Sequence, residues 1–298
     1  MSYLSFFLIQ YSMGYDDTEI INYVIFGKRE ELEHFPCGEP FVILSVGGER
    51  VKIRPLYLFW DHVDEQLLQL LRDRDLAHMR KGLFAKVKNL LESRRRNMVV
   101  HHVQNKYKEV FLSNPETLFL SESAREQIPE QLFGKMPGGA ERLHRMFARE
   151  EALSLCQSCP GELAFFFVLP EEFSVEDLRQ WLLDVEGAAD VRMSDLFLFG
   201  SERQKEQGEE VLEEFYERTG LAGSFYGRED CKKMLSIVSG SSLFVDCFGL
   251  PVTEIGRPTF YIDGSGVRTA REIRRLGGVC KGCKSLRNHL DRAFLCAL

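Results

Sequence analysis

The sequence predicts an α/β protein: a C-terminal, mainly parallel sheet with helices on both faces, preceded by a mixed α+β module that contains a long helix. Two observations carry the C-terminal assignment. Segments that are almost continuously apolar, such as "ELAFFFVL" and "SLFVDCFG", alternate there with amphipathic segments. A strand that is apolar on both sides belongs to a sheet covered on both faces, as parallel sheets are. A third observation sets the N-terminal half apart, because it lacks that alternation and offers a Gly-Gly hairpin signal followed by leucines at helical spacing. The 298 residues suffice for two cores. The expected boundaries are an N-terminal module over 1–135, a linker and connecting helix over 136–155, and the α/β domain over 156–298.

In the first module, "DDTEIINYVIFG" predicts a helix with Ile20, Ile21, Val24 and Ile25 on one face and Gly27 as its stop. "EPFVILSVGGERVKIRPLYLFW" predicts two strands turning at Gly47 and Gly48. From Leu67 to Leu91, leucines and other apolar residues recur every three to five positions, with a break near Arg72 to Asp75 that divides the run into two helices. "MVVHHVQ", "KEVFLS" and "TLFLS" are expected to be short strands. "IPEQLFGKMPGGAE" carries the prolines and glycines of a linker, and "ERLHRMFAREEALSL" is the helix after it.

In the second half, "SVEDLRQWLLDV" is a helix opened by Ser174, "DLFLFG" a strand, and "GEEVLEEFYERTG" an acidic helix stopped by Gly220. "AGSFYG", "EDCKKMLSIVSG" and "SLFVDCFG" extend the alternation as strand, helix and strand. "PTFYID" is a last strand, antiparallel to its neighbour if the segment before it is a long-looped hairpin, and "GSGVRTAREIRRLGG" supplies a loop and a basic helix.

Two Cys-x-x-Cys units, Cys156 with Cys159 and Cys280 with Cys283, bracket this half. Two thiolates three residues apart can face one tetrahedral ion, and two such units complete a four-sulfur structural zinc site that would clip the ends of the domain together. A redox dithiol, an iron–sulfur cluster and plain packing are the alternatives. A helix over "SLRNHLDRAFL" sets His289 and Cys296 two turns apart, too far for both to join a local site.

The net charge of −7 hides segregation: Arg80 to Lys108 holds nine basic residues against one acid, and Gly264 to Arg287 seven against one, while "SERQKEQGEEVLEEFYER" holds seven acids against three bases. Gly264, Ser265 and Gly266 followed by Arg268, Arg271 and Arg275 place small residues and cations at a helix start, a phosphate-binding arrangement. Arg94, Arg95, Arg96, Lys106 and Lys108 around Tyr107 are a second cationic surface, of the kind that binds nucleic acid. Asp246 and Asp263 end apolar strands, where open sheets collect ligands, and are the candidate catalytic residues, either of which could hold a divalent cation or act as a general base.

The leading expectation is a cytoplasmic binding or regulatory protein with structural zinc that recognises a phosphate-bearing ligand or a protein partner. Its rivals are an enzyme acting on a nucleotide or phosphorylated substrate at Asp246 and Asp263, and a nucleic-acid binder using both basic segments. The opening "MSYLSFFLIQYSMGY" has neither the basic start of a signal peptide nor the length of a membrane span, so no membrane role is expected.

Overall fold

The computed structural model describes residues 19–28, 41–46, 49–72, 83–133, 140–158, 161–187, 191–238, 240–251, 259–268, 270–277 and 280–295. Gly47, Gly48, Leu76, Met79, Cys159 and Cys296 lie outside the described residues. The chain is α/β, with a six-stranded all-parallel sheet and a mixed four-stranded sheet. It divides into two units: one is built chiefly from Glu141–Arg292 and also takes in Leu44–Glu49, and the other is built chiefly from Arg50–Ala140 and the first strand. The helix expected to connect the domains belongs to the C-terminal unit.

The smaller sheet contains β1 (Glu19–Lys28), β2 (Val42–Val46), β3 (Glu49–Trp60) and β4 (Leu118–Leu120) in the order β2-β3-β1-β4. β1 corrects the predicted helix. It pairs in parallel with both β3 and β4, and Ile21, Tyr23, Val24 and Ile25 are all buried. Burial on both faces gives a continuous apolar run, and the β-branched and aromatic side chains suit a strand better than a helix.

Helices α1 (His62–Arg72) and α2 (Leu83–Lys106) follow, and the expected break at Arg72 to Asp75 falls on 73–75, outside the described residues. Two predicted strands are helical instead: "MVVHHVQ" lies within α2, and "KEVFLS" contains the short α3 (Lys108–Phe111). Val99 and Val103 are buried one helical turn apart while His101 and His102 are exposed, which is a one-sided burial pattern. After β4 comes α4 (Glu122–Gln127), capped by Ser121, whose hydroxyl accepts from Ala124 N at 3.1 Å. Leu132 and Phe133, in the segment read as linker, are buried in this unit's core.

The C-terminal unit begins with α5 (Ala140–Ser158) and continues β5 (Gly161–Val168), α6 (Val175–Gly187), β6 (Val191–Gly200), α7 (Lys205–Thr219), β7 (Gly223–Gly227), α8 (Cys231–Ile237) and β8 (Ser242–Asp246). It closes with β9 (Thr259–Asp263), α9 (Ala270–Gly277), β10 (Lys281–Ser285) and α10 (Leu286–Leu295). The strand order is β10-β9-β8-β5-β6-β7. The chain therefore starts in the middle, winds outward through β6 and β7, then returns to build β8, β9 and β10 on the other side.

β8 and β9 are parallel, with Asp246 opposite Asp263, so the conditional antiparallel hairpin is corrected. β10 was not anticipated as a strand, because "KGCKS" has little β propensity; its parallel pairing with β9 at the sheet end defines it. Alternate residues of β5 face two different cores. Ala164, Phe166 and Val168 pack with Cys231 and Leu235 of α8 and Ile273 and Leu276 of α9. Phe167 on the opposite face meets Trp181 of α6 edge-on at 4.5 Å. Gly220 ends α7 with φ 76°, a left-handed conformation that a side chain resists, and its N–H bonds Tyr216 O at 2.7 Å.

Candidate functional site

Asp246 and Asp263 stand side by side at the carboxyl ends of adjacent strands, but each is held by its own loop. Asp246 is completely buried, and its carboxylate accepts five hydrogen bonds. Oδ1 takes the N–H groups of Phe248 at 3.1 Å, Gly249 at 2.7 Å and Leu250 at 3.2 Å. Oδ2 takes Tyr261 Oη–H at 2.9 Å and Arg268 Nη2 at 3.1 Å. Arg268 also donates to Tyr261 Oη and Leu250 O. A buried carboxylate is tolerated when its charge is paired and its lone pairs are filled, and this one is.

Asp263 closes the next turn. Its Oδ1 accepts from Ser265 Oγ at 2.7 Å, Gly266 N at 3.1 Å and Ser265 N at 3.2 Å. Burial is the main cause that pushes its carboxyl up to about 6, and the nearby Asp246 charge adds to it, against the opposing pull of Ser265, Arg268 and Gly266 N–H. Gly266 has φ 66°, and a Cβ there would collide with the His144 imidazole of α5.

These contacts reassign the predicted phosphate loop. The N–H groups of Ser265 and Gly266 that would face an anion already face Asp263, so the chain's own carboxylate occupies that position. Arg268 corrects the predicted cationic face, because pairing with Asp246 and Tyr261 draws it inward and leaves it only 7% exposed. Arg271 and Arg275 remain exposed on α9.

In the second basic segment, Arg94 and Arg95 are exposed on α2. Lys106 is bound to Asp61 at 3.0 Å and Asp64 at 2.7 Å, and the single proton of the Tyr107 hydroxyl lies between two acceptors, Asp64 Oδ2 at 2.5 Å and Phe59 O at 2.6 Å. The Tyr107 ring also packs on Trp60, with centroids 5.4 Å apart, so the aromatic group expected to stack on a base is used inside the fold.

Cys280 sits in the core shared with α8 and α9, and Cys283 packs against that core. Burial first, then Cys280 and Asp263, push the Cys283 thiol up to about 12, opposite to the shift a reactive thiolate needs. The neighbouring Lys284 points the other way and pairs with buried Glu151 of α5 at 3.5 Å. Cys156 is buried on α5, the helix over that opposite face. Cys159, the fourth member of the expected set, lies outside the described residues. Among the described residues, no group of three or more His, Cys, Asp or Glu side chains is arranged to hold a metal.

An open crevice lies one strand away from the aspartates. Its volume is about 570 Å³, and it is lined by the ends of β5 (Phe167, Leu169, Pro170) and β8 (Cys247), the start of α6 and the face of α5 carrying Arg142, Arg145 and Arg149. Spacings of three and four put the three guanidinium groups on one side of the helix. Arg142 Nη2 meets Glu49 at 2.7 Å, and Arg149 pairs with Asp184. Glu172 and Asp177 also line the pocket. Ser174 caps α6 by accepting from Asp177 N at 3.3 Å. Two buried donors in the lining, Arg149 Nε and Trp181 Nε1, have no acceptor among the described residues.

The sequence reading did not single out this site, although the arginine spacing in "ERLHRMFARE" was legible. Cys247 borders both the crevice and the aspartate turns, where a Cβ on Gly264 would approach its Sγ to 2.8 Å. Burial and the two aspartates push this thiol far above its ordinary range, which keeps it protonated.

In comparison with known proteins, no protein-family profile, curated protein or solved structure matches this chain.

Proposed function

We propose that the C-terminal unit binds a small phosphate-bearing molecule in the crevice at the carboxyl ends of β5 and β8. The observation that carries this reading is the coincidence of three features: the pocket, the arginine row of α5 and the point where the chain reverses its winding. Doubly wound sheets leave a gap at that reversal, since the loops from the two central strands depart in opposite directions. The pocket falls within the roughly 300–1,000 Å³ that small-molecule sites occupy.

Each element has a part to play. Guanidinium groups present paired N–H donors that match two phosphate oxygens, and the start of α6 adds the positive end of a helix dipole. Glu49 and Asp184 hold Arg142 and Arg149 by ion pairs that a phosphate can replace. Trp181 and Phe173 offer aromatic surface for an apolar or ring-bearing portion of the ligand. Glu172 and Asp177 are acceptors for its hydroxyl or amino groups. Two orphaned N–H donors in the lining add to the support, because buried donors are ordinarily satisfied.

Catalysis at Asp246 and Asp263 has less support, as both carboxylates are inaccessible and committed to loop contacts. The test is a thermal-shift and calorimetric titration with inorganic pyrophosphate, ribose 5-phosphate and nucleoside mono- and diphosphates. Binding that disappears in Arg145→Glu, a pocket variant, is the expected result. Absence of binding by the whole set, or binding that the substitution leaves unchanged, contradicts the proposal.

A further inference from the structure

We infer that the free edge of β7 and the adjoining face of α7 form a docking groove for an extended basic peptide. β7 ends the six-stranded sheet and pairs with β6 on one side only among the described residues. An edge strand presents a row of backbone N–H and C=O groups to any chain that can lie alongside it. Edges are ordinarily guarded by charges, proline or a bulge. "GSFYG" carries no charge and no proline, and its register with β6 runs unbroken from Gly223 to Gly227.

The groove beside this edge is shallow and open to solvent, measures about 670 Å³, and is lined by Glu209, Leu212, Glu213 and Tyr216 of α7 together with 222–226. Those four α7 residues recur at i, i+3, i+4 and i+7, so they form one stripe along the helix. The stripe alternates carboxylates with apolar surface, and Tyr216 is 54% exposed. Glycines let the helix approach the strand this closely: a Cβ at Gly223 would strike Leu212, and one at Gly208 would strike the Phe225 ring.

The chemistry selects the occupant. A peptide pairing with β7 turns alternate side chains toward α7, where Lys or Arg meets Glu209 and Glu213 and an apolar residue meets Tyr216 and Leu212. Backbone pairing supplies affinity and the alternate pockets supply specificity, as in strand addition generally. A second copy fits poorly. Antiparallel pairing of two β7 edges about a two-fold axis normal to the sheet sets two α7 helices side by side, each carrying six glutamates. Like charges so placed repel.

The experiment is fluorescence anisotropy of the full chain with a labelled ten-residue peptide alternating Lys and Val. Controls are its Glu-Val counterpart, a version with alternate backbone amides N-methylated, and the Glu209→Lys/Glu213→Lys variant. Both glutamates are exposed, so the variant should keep its fold. The expected result is saturable binding of the Lys-Val peptide, weakened at least about tenfold by the charge reversal and by N-methylation, with no binding of the acidic peptide. Absence of saturable binding, or binding indifferent to charge reversal or to N-methylation, overturns the proposal. So does a dimer of the unliganded chain in sedimentation that Ser224→Lys abolishes, which would give the edge to a second copy.

Discussion

Two neighbouring strand ends in the same sheet have opposite fates. Between β8 and β9 the chain gathers two aspartates, a tyrosine and an arginine and seals them against one another. Between β5 and β8 it leaves a crevice bordered by three arginines. Both places combine charge with the carboxyl edge of a parallel sheet, so charge and position alone do not mark a binding site. What separates them is topology. β8 and β9 are consecutive strands in register, so each aspartate takes the N–H groups of its own turn and Asp246 also takes Tyr261 and Arg268 from the β9 side. At β5 and β8 the winding reverses, and the departing loops leave room.

Breaking the sealed end should have the largest effect. Arg268→Ala leaves the Asp246 carboxylate buried without its cation and should cost about 3–5 kcal/mol in denaturant unfolding. A loss below about 1 kcal/mol would mean that the ion pair does not hold these turns.

The next effect depends on pH. The folded-state carboxyl of Asp263 titrates near 6, above its unfolded value, so the folded state binds more protons between about pH 4 and pH 6. Asp263 therefore makes stability fall as pH rises through that window, by on the order of 2–3 kcal/mol in total. Asp263→Asn keeps an oxygen acceptor for the turn and should flatten that part of the profile in unfolding measured from pH 4 to 7. A profile identical to wild type would remove Asp263 as its source.

At the open end the effects on stability are small. Ser174→Ala removes the cap of α6 and should cost about 1 kcal/mol. Arg145→Glu, on a partly exposed face, should cost no more than about 1 kcal/mol, well below Arg268→Ala, while abolishing phosphate binding. Equal stability losses at Arg145 and Arg268 would erase the distinction between the two ends.

The alternation of strands and helices from Gly161 onward was legible, because parallel strands buried on both faces write unbroken apolar runs and the helices carry their caps. β1 was misread for the same reason: an unbroken apolar run also satisfies helical spacing at Ile20, Ile21, Val24 and Ile25, and its partners β3 and β4 lie far along the chain. Val99 and Val103 misled in the other direction, since β-branched residues suggested a strand where only one helical face is buried. β10 has so little apolar content that only its pairing with β9 reveals it.

The sites divide in the same way. Asp246 and Asp263 were found by their position at strand ends, but the sequence could not show that turn N–H groups and Arg268 would absorb their charge. The crevice drew no attention because its parts come from α5, β5, α6 and β8, and only the strand order brings them together.

If the open end, and not the sealed one, receives the ligand, the tryptophan in the crevice should respond to it. Trp181 lines the crevice, and Trp60, the other tryptophan, belongs to the N-terminal core. Titrating the Trp60→Phe protein with pyrophosphate and nucleoside diphosphates while recording tryptophan emission therefore reports on the crevice alone. The expected result is a saturable change in emission that Arg145→Glu eliminates and Arg271→Glu, on the exposed face of α9, leaves intact. A response lost in Arg271→Glu and retained in Arg145→Glu would contradict it.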